Sequence, residues 1–145
     1  MARLTAITAL GGIEARDDLI GSIRITEVAD TCLASLAMRR DKSESFRKAA
    51  QTALGTDLPT PGQRTSHGTR GAIWMGPDQF LVEAETDATD LASDLAAIFG
   101  AAASITDQSD AWVRFDITGR DVPAMLERLS AADTRLMQGG AAVRT

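Results

Sequence analysis

Cysteine and histidine are nearly absent from this chain of 145 residues, which holds one of each, Cys32 and His67. A lone cysteine cannot form an intramolecular disulfide, and nothing else indicates an oxidising compartment, so we expect a cytoplasmic protein. A zinc site needs three or four ligands, and one cysteine with one histidine does not supply them. We therefore predict no metal site, with Cys32 as an inert core thiol and His67 as a solvated loop residue rather than a general base.

Basic residues, aromatic residues and long apolar runs are scarce as well. Fifteen Lys and Arg against twenty Asp and Glu give a net charge of −5, and no basic patch offers itself to a nucleic acid. Two Trp, four Phe and no Tyr leave few platforms for stacking bases or flat ligands. No run approaches the roughly 20 apolar residues of a membrane helix, and threonines interrupt the apolar N-terminus. We expect neither nucleic acid nor a membrane among its partners, and no secretory signal.

A β-hairpin is the clearest structural signal that the sequence does contain. Two short apolar runs within Ala72–Ala84 flank the stretch from Gly76 to Gln79, whose middle pair is Pro77-Asp78. Proline has the backbone angle that the second position of a tight turn requires, and aspartate bonds readily to its own backbone. The pattern predicts an Ile-Trp-Met strand and a Phe-Leu-Val strand joined by a reversal.

Helical spacing predicts helices on both sides of this hairpin. The first begins at Asp41, where Glu44 completes a capping-box pattern, and ends at Gly55. The second begins with Asp87 as its N-cap and ends at Gly100. The apolar residues of the first helix recur at helical intervals and share one face: Phe46, Ala49, Ala50, Ala53 and Leu54.

A third helix is predicted after Gly119-Arg120-Asp121, with Pro123 tolerated in its first turn. Leu58–Gly71, with two prolines and three glycines, is predicted to be a loop. Thr31–Arg39 is apolar on both faces, which is typical of a central strand. Ala111–Ile117 alternates cleanly and predicts another strand.

The order from Thr31 to Ile117 is strand, helix, strand, strand, helix, strand. It predicts an α+β fold of the split βαβ, or ferredoxin-like, type, with helices on one face of a four-stranded antiparallel sheet. We expect a single domain over 1–145, with an arm at 1–30 that holds a short strand at Ile23–Val28 and a core at 31–130. The fading pattern leaves open that 131–145 is an incomplete C-terminal part. The second sheet face needs a cover, which the arm, the third helix or another protein could supply.

No catalytic, cofactor-binding or metal-binding residue is predicted, and no glycine-rich phosphate loop occurs. Asp107 and Asp110 could act as an acid and base pair, but Asp and Ser before a strand favour turn chemistry. Trp112 is either part of a partner surface or buried under the arm. The candidates for a partner interface are Trp74, Phe80, Trp112 and Arg114.

Several strings together resemble the gamma subunit of heterotetrameric sarcosine oxidase. They are AIWMGPDQFLVE at Ala72–Glu83, TDQSDAWV at Thr106–Val113, ASLAMR at Ala34–Arg39, LPTPG at Leu58–Gly62 and GAAVRT at Gly140–Thr145. The same region is similar to a degenerate aminomethyltransferase, or glycine-cleavage T protein, in its Asp107-Gln108-Ser109 turn and its Gly119-Arg120-Asp121 turn. The relation implies an α+β domain like that of aminomethyltransferase-type folate-binding proteins.

The resemblance implies a non-catalytic subunit with a structural role in an oxidoreductase complex that oxidatively demethylates sarcosine to glycine. In that complex other subunits would hold FAD, FMN, NAD and zinc, with tetrahydrofolate as one-carbon acceptor, and the alpha, beta and delta subunits would be this chain's partners. Family members continue past Arg144-Thr145, and the first thirty residues match little. The parent complex could equally act on another N-methylated amino acid.

Two other classes of function remain open from the sequence. A free-standing folate-binding protein would use the polar stretch from Asp107 to Asp110, although few aromatic residues are available for its pocket walls. A small regulatory ligand-binding module is compatible with a ferredoxin-like fold, because fold alone does not define function. Such modules usually form symmetric homodimers, whereas a subunit of a larger complex assembles with different chains.

Overall fold

The structure, a computed structural model, describes residue 5 and residues 7–85, 90–134, 137 and 139–143, which form two antiparallel sheets and three α-helices. The strands are β1 Asp17–Ile20, β2 Ile23–Val28, β3 Thr31–Met38, β4 Arg64–His67, β5 Arg70–Gly76, β6 Gln79–Glu85, β7 Ala103–Asp107 and β8 Arg114–Gly119. The helices are α1 Ser43–Leu54, α2 Leu91–Phe99 and α3 Val122–Leu129. No helix in these residues is long and apolar enough to cross a membrane.

The larger sheet has five strands in the order β4-β5-β6-β3-β7. β3 pairs antiparallel with β6 on one side and β7 on the other, which confirms the predicted central strand. Ala34 and Leu36 are buried on one face of β3 and Leu33 on the other, as expected for a strand that is apolar on both sides. β3, β5, β6 and β7 with α1 and α2 have the strand order of a ferredoxin-like fold, so the predicted fold class is confirmed.

The core lies between one face of this sheet and the two helices α1 and α2. Phe46 of α1 is 1% exposed, and its ring lies 5.2 Å from that of Phe99 and 6.1 Å from that of Phe80. Leu95 of α2 and Val82 of β6 are completely buried in the same cluster. Burial of these side chains supplies the main stabilising term of the domain.

The predicted hairpin is present, with β5 and β6 joined at Pro77-Asp78. Asp78 has a φ of 59°, the left-handed value that the third position of such a turn takes, and the register shifts between Trp74 and Gly76. The prediction that Leu58–Gly71 is wholly a loop was wrong. Its second half contains β4, which pairs with β5 at the sheet edge. All four residues of Arg64–His67 are polar, so no apolar residue marks this strand in the sequence.

The fourth strand of the ferredoxin-like unit is β7, and the prediction that Ala111–Ile117 fills this position was wrong. β7 has five residues, and Ile105 is its only large apolar side chain. Its sequence therefore carries little strand signal. The alternation after Ala111 does form a strand, β8, but β8 begins at Arg114 and pairs with β2 in the other sheet. Trp112 precedes the strand.

Helix ends agree with the predictions at the C-terminal side and differ at the N-terminal side. Gly55 ends α1 with a φ of 65°, and Gly100 ends α2. The predicted capping box of α1 was wrong, because Asp41 adopts a φ of 61° and Lys42 occupies the N-cap without a side-chain hydrogen bond. Asp87 lies outside the described residues, and Asp90 caps α2 by accepting from the Ser93 backbone N–H at 2.9 Å.

The smaller sheet has the order β1-β2-β8; β1 and β2 lie in the predicted arm at 1–30, and β8 overlaps the predicted strand Ala111–Ile117. The predicted strand at Ile23–Val28 is β2, and β1 was not predicted. The third helix is confirmed as α3, with Pro123 in its first turn. Hydrophobic alternation alone did not show that β2 and β8, which lie far apart in the sequence, are neighbours.

Candidate partner-docking surface

One face of the smaller sheet is largely apolar, although the register also places Asp18 and Glu27 on it. Side chains alternate along a strand, and the register places Ile20 opposite Ile23 and Ile25 opposite Ile117, so these residues point to the same side. Next to them, α3 and Ile23 enclose a groove of about 420 Å³ lined by Met125 and Leu129. We refer to the whole set as the small-sheet apolar face: Ile20, Ile23, Ile25, Phe115, Ile117, Met125 and Leu129.

Three of the seven side chains of this face are well exposed, and the other four, Ile23, Ile25, Ile117 and Met125, are half-buried. Ile20 is 64% exposed, Phe115 39% and Leu129 74%. Nine of the eleven exposed large apolar side chains of the described residues lie on the smaller sheet, on α3 or in the segments beside them. They are Ile7, Leu10, Ile13, Leu19, Ile20, Trp112, Val113, Phe115 and Leu129. Clustered exposure of this kind marks interaction surfaces, whereas scattered exposed residues do not.

The opposite face of the smaller sheet is mainly polar and internally paired, although it also carries the exposed Leu19. Arg24 donates from Nε to Asp17 Oδ1 at 2.8 Å, and Thr26 donates to the same carboxylate. The hydrogen bond from Arg24 is the main reason that the pKa of Asp17 lies below its ordinary value. Arg114 forms a similar pair with Asp116 at 3.2 Å. The polar side chains of this face are therefore compatible with contact with water.

Glu27 anchors the N-terminal segment to the end of the smaller sheet. Its carboxylate is 3% exposed and accepts from the backbone N–H groups of Leu10 at 3.0 Å and Arg16 at 3.1 Å. Burial opposes ionisation, but these two N–H groups, the Thr8 hydroxyl and the charge of Arg16 outweigh it and hold the pKa of Glu27 below its ordinary value. The segment around residues 7–16 is thus held in place by one ionised side chain.

The four residues predicted as a partner interface fall into two separate pairs. Trp74 and Phe80 are cross-strand neighbours in the hairpin and lie on the helix-covered side of the larger sheet, where Phe80 is 9% exposed. Trp112 and Arg114 lie at the other end of β3, and the Arg114 guanidinium approaches Thr31 Oγ1 at 3.4 Å. Trp112 is 50% exposed, so it is only partly covered by residues 7–9, with which it lines a cavity of about 240 Å³.

The polar stretch from Asp107 to Asp110 forms a turn. Ser109 donates its hydroxyl to Asp107 Oδ1 at 2.7 Å, and its backbone N–H reaches the same oxygen at 3.1 Å. The hydroxyl hydrogen bond is the main cause of the lowered pKa of Asp107. Ser109 Oγ also accepts from the Leu33 backbone N–H at 3.1 Å, which ties the turn to the start of β3. A carboxylate held ionised by its own turn favours the structural interpretation over acid and base catalysis.

A cavity of about 470 Å³ lies under the LPTPG loop. Its walls are mostly apolar and include Met38, Phe46, Leu58 and Phe80, with Arg47, Asp57 and Asp78 also among its lining residues. Among the described residues no three His, Cys, Asp or Glu side chains come close enough to hold a metal ion. Cys32 packs half-buried against the core, and His67 lies exposed at the end of β4.

The strand order and the helices place the chain in the ferredoxin-like α+β class. A comparison with solved structures gives one example of a chain with a similar fold. The example is a chain of the heterotetrameric sarcosine oxidase from Corynebacterium sp. U-96, solved in complex with pyrrole 2-carboxylate. It matches with a TM-score of 0.66 and 24% sequence identity over 77% of this chain and 57% of that chain. The chain therefore spans little more than half the length of that neighbour. No protein-family profile and no curated protein matches the sequence.

The small-sheet apolar face was not predicted from the sequence, apart from the general expectation of an uncovered sheet face. Its signal was available in part, since Ile23, Ile25, Phe115 and Ile117 alternate with polar residues in two separate stretches. Those stretches pair only in the folded chain, and no local pattern indicates that they do.

Proposed function

We propose that the chain is a non-catalytic subunit with an assembly role in a heterotetrameric complex of the sarcosine oxidase type. The exposed small-sheet apolar face is the observation that carries the proposal, because a chain that functions alone would gain by covering it. The fold shared with a chain of such a complex supports the same conclusion. The complex would oxidatively demethylate sarcosine, or another N-methylated amino acid, to the corresponding amine.

Under this proposal the partners are the alpha, beta and delta subunits, which hold the complex's FAD, FMN, NAD and zinc and pass the one-carbon unit to tetrahydrofolate. The described residues of this chain support a role without catalysis. Its lowered carboxylate pKa values trace to hydrogen bonds in turns, caps and ion pairs, whereas a general acid or base at neutral pH requires a raised value.

The test is to tag the full chain in its native host, purify it gently and record the visible spectrum together with the masses of the proteins that accompany it. We expect flavin absorbance and several other subunits in a fixed ratio. The chain produced alone should be colourless and should not bind tetrahydrofolate in a calorimetric titration. A yellow or folate-binding isolated chain contradicts the non-catalytic role, and a native preparation without flavoprotein contradicts the complex.

A second candidate function, small-ligand binding, is favoured by the cavity under the LPTPG loop. Its volume of about 470 Å³ falls within the range of small-molecule sites, and its walls are apolar with a few polar groups. Replacing Met38 by Trp would fill the cavity and abolish such binding without touching the smaller sheet. Ligand protection of the wild-type chain against thermal unfolding, lost in Met38→Trp, would support this alternative.

A further inference from the structure

We propose that the cavity under the LPTPG loop binds a free α-amino acid with a large apolar side chain, held by its carboxylate and its ammonium group together. This inference rests on the second candidate function, small-ligand binding, and adds the chemical class of the ligand. It is compatible with an assembly role for the same chain, because none of the residues that line the cavity lies in the smaller sheet.

The first argument is that the cavity has an apolar floor and a charged mouth. Phe46 and Phe80 are 1% and 9% exposed, and Pro59 of the loop is buried as well. The charged residues that line the cavity are, by contrast, all exposed: Arg47, Asp57 and Asp78. A ligand that matches this cavity therefore has an apolar body for the floor and charged groups for the mouth.

The second argument is that the charges at the mouth have no partners in the described part of the chain. Within it, Arg47, Asp57 and Asp78 form no ion pair and no side-chain hydrogen bond. A guanidinium group binds a carboxylate through two parallel N–H groups, and a carboxylate accepts hydrogen bonds from an ammonium group. The mouth thus offers both signs of charge to a ligand.

The third argument is that the three charged residues come from different elements whose backbone is held in place. Arg47 lies on α1. The carbonyl oxygen of Asp57 accepts from the Thr65 hydroxyl at 3.0 Å, and that of Asp78 accepts from the Met38 backbone N–H at 2.9 Å. A ligand that enters a site built on fixed backbone loses less of its binding free energy to ordering the protein.

The fourth argument is that the signs of charge distinguish an amino acid from other ligands with an apolar body. A phosphate-bearing ligand would meet one arginine and two carboxylates, which is an excess of negative charge. A simple carboxylic acid would leave both aspartates unpaired, and a simple amine would leave Arg47 unpaired. An α-amino acid carries both charges on one carbon atom and pairs with both kinds of residue.

The test is isothermal titration calorimetry of the full-length chain with three probes that share one phenyl group. They are L-phenylalanine, phenethylamine, which lacks the carboxylate, and 3-phenylpropionate, which lacks the ammonium group. We expect L-phenylalanine to bind at least about tenfold more tightly than either analogue, because each analogue lacks one charge-assisted contact.

Variants assign the two contacts. Arg47→Gln should remove the advantage of L-phenylalanine over phenethylamine, and Asp57→Asn combined with Asp78→Asn should remove its advantage over 3-phenylpropionate. Asparagine tolerates the left-handed φ of 59° at position 78. Lys48→Gln is the matched control, because it removes a positive charge from the next exposed position of α1, which does not line the cavity, and it should leave binding unchanged. Melting temperatures of the unliganded variants verify folding.

The outcomes separate this inference from the second candidate function. If the three probes bind equally well and Met38→Trp abolishes their binding, the second candidate function stands and the amino-acid class is wrong. If L-phenylalanine does not bind, the inference is overturned. If L-phenylalanine binds and Met38→Trp leaves its binding unchanged, the ligand lies outside the cavity, and both the inference and the second candidate function fail.

Discussion

Glu83 is a buried carboxylate on the face of the larger sheet that α1 and α2 leave uncovered. It is 8% exposed and forms an ion pair with Arg64 from the edge strand β4, and the Arg64 Nε atom lies 2.5 Å from it. Glu83 stands opposite Gly71 in the register, where a Cβ atom would come within 2.7 Å of its carboxylate. The absence of a side chain at Gly71 therefore makes room for this ion pair.

Arg64→Ala is expected to destabilise the chain by about 1–3 kcal/mol, because it leaves a buried carboxylate without its partner. The control is Arg24→Ala, which breaks a pair whose two side chains are both more than 40% exposed and should therefore lower stability much less than Arg64→Ala. Urea unfolding of both variants measures the difference. Equal losses would mean that Glu83 is as well solvated as the surface carboxylates.

Ser109→Ala is expected to cost about 1–2 kcal/mol, because the Leu33 N–H loses an acceptor and Asp107 loses a donor. Ser104→Ala on β7 is the matched control, since Ser104 accepts from Arg39 only in an exposed position and should change stability little. Thermal unfolding distinguishes the two variants. A neutral Ser109→Ala would remove the structural interpretation of the turn.

At the scale of elements, the C-terminal end of α1 lies beside the C-terminal end of β4. Gly55, the C-cap of α1, lies so close to the ring of His67 that a Cβ atom would stand 2.7 Å from Nδ1. The same glycine has a left-handed φ of 65°. The left-handed backbone favours glycine at this position, and a methyl group would in addition have to displace the exposed His67 ring.

Gly55→Ala should lower the free energy of unfolding by about 1–2 kcal/mol because of the left-handed backbone at this position. The collision with His67 should lower it further. Gly68→Ala isolates the backbone part, because Gly68 has a φ of 58° and open space around it. Adding His67→Ala to Gly55→Ala should bring the loss down to the Gly68→Ala value. Chemical denaturation of the three variants checks this, and an unchanged loss in the double variant would show that His67 is not the obstacle.

The sequence predicted the elements that carry their own signal and missed those that depend on distant partners. The hairpin at Pro77-Asp78 and the glycine ends of α1 and α2 follow from local backbone chemistry. β7 is a strand because it pairs with β3, and its five residues alone do not say so. For the same reason the alternation after Ala111 could be recognised as a strand but not assigned to its sheet, and the small-sheet apolar face stayed hidden.

At the scale of the whole molecule, acidity is expected to destabilise the fold. Among the described residues four carboxylates have pKa values below the ordinary 3.8 of Asp or 4.5 of Glu, namely Asp17, Glu27, Asp90 and Asp107. The unfolded chain therefore binds protons at higher pH than the folded chain does. Their contribution to stability is complete above the ordinary pKa values and is lost as the pH falls through the lowered ones.

These four carboxylates should thus have little effect on the melting temperature between about pH 7 and 5.5. Below about pH 4.5 their protonation should lower the melting temperature steadily. Calorimetry over this range measures it. Asp17→Asn removes one of these four carboxylates. The melting temperature of this variant should fall less steeply with decreasing pH than that of the wild type. A melting temperature that stays constant down to pH 3 would contradict the lowered values.

The pairing of β2 with β8 joins Ile23 to Gly119, which lies 96 positions further along the chain. During synthesis the ribosome releases β2 long before β8, and at about 5–20 residues per second the interval lasts several seconds. β7, the last strand of the larger sheet, emerges earlier than β8, so the ferredoxin-like unit is able to fold first. For that interval the β1-β2 hairpin exposes both faces and has two unpaired edges, which makes it the part of the described chain most in need of a chaperone during synthesis.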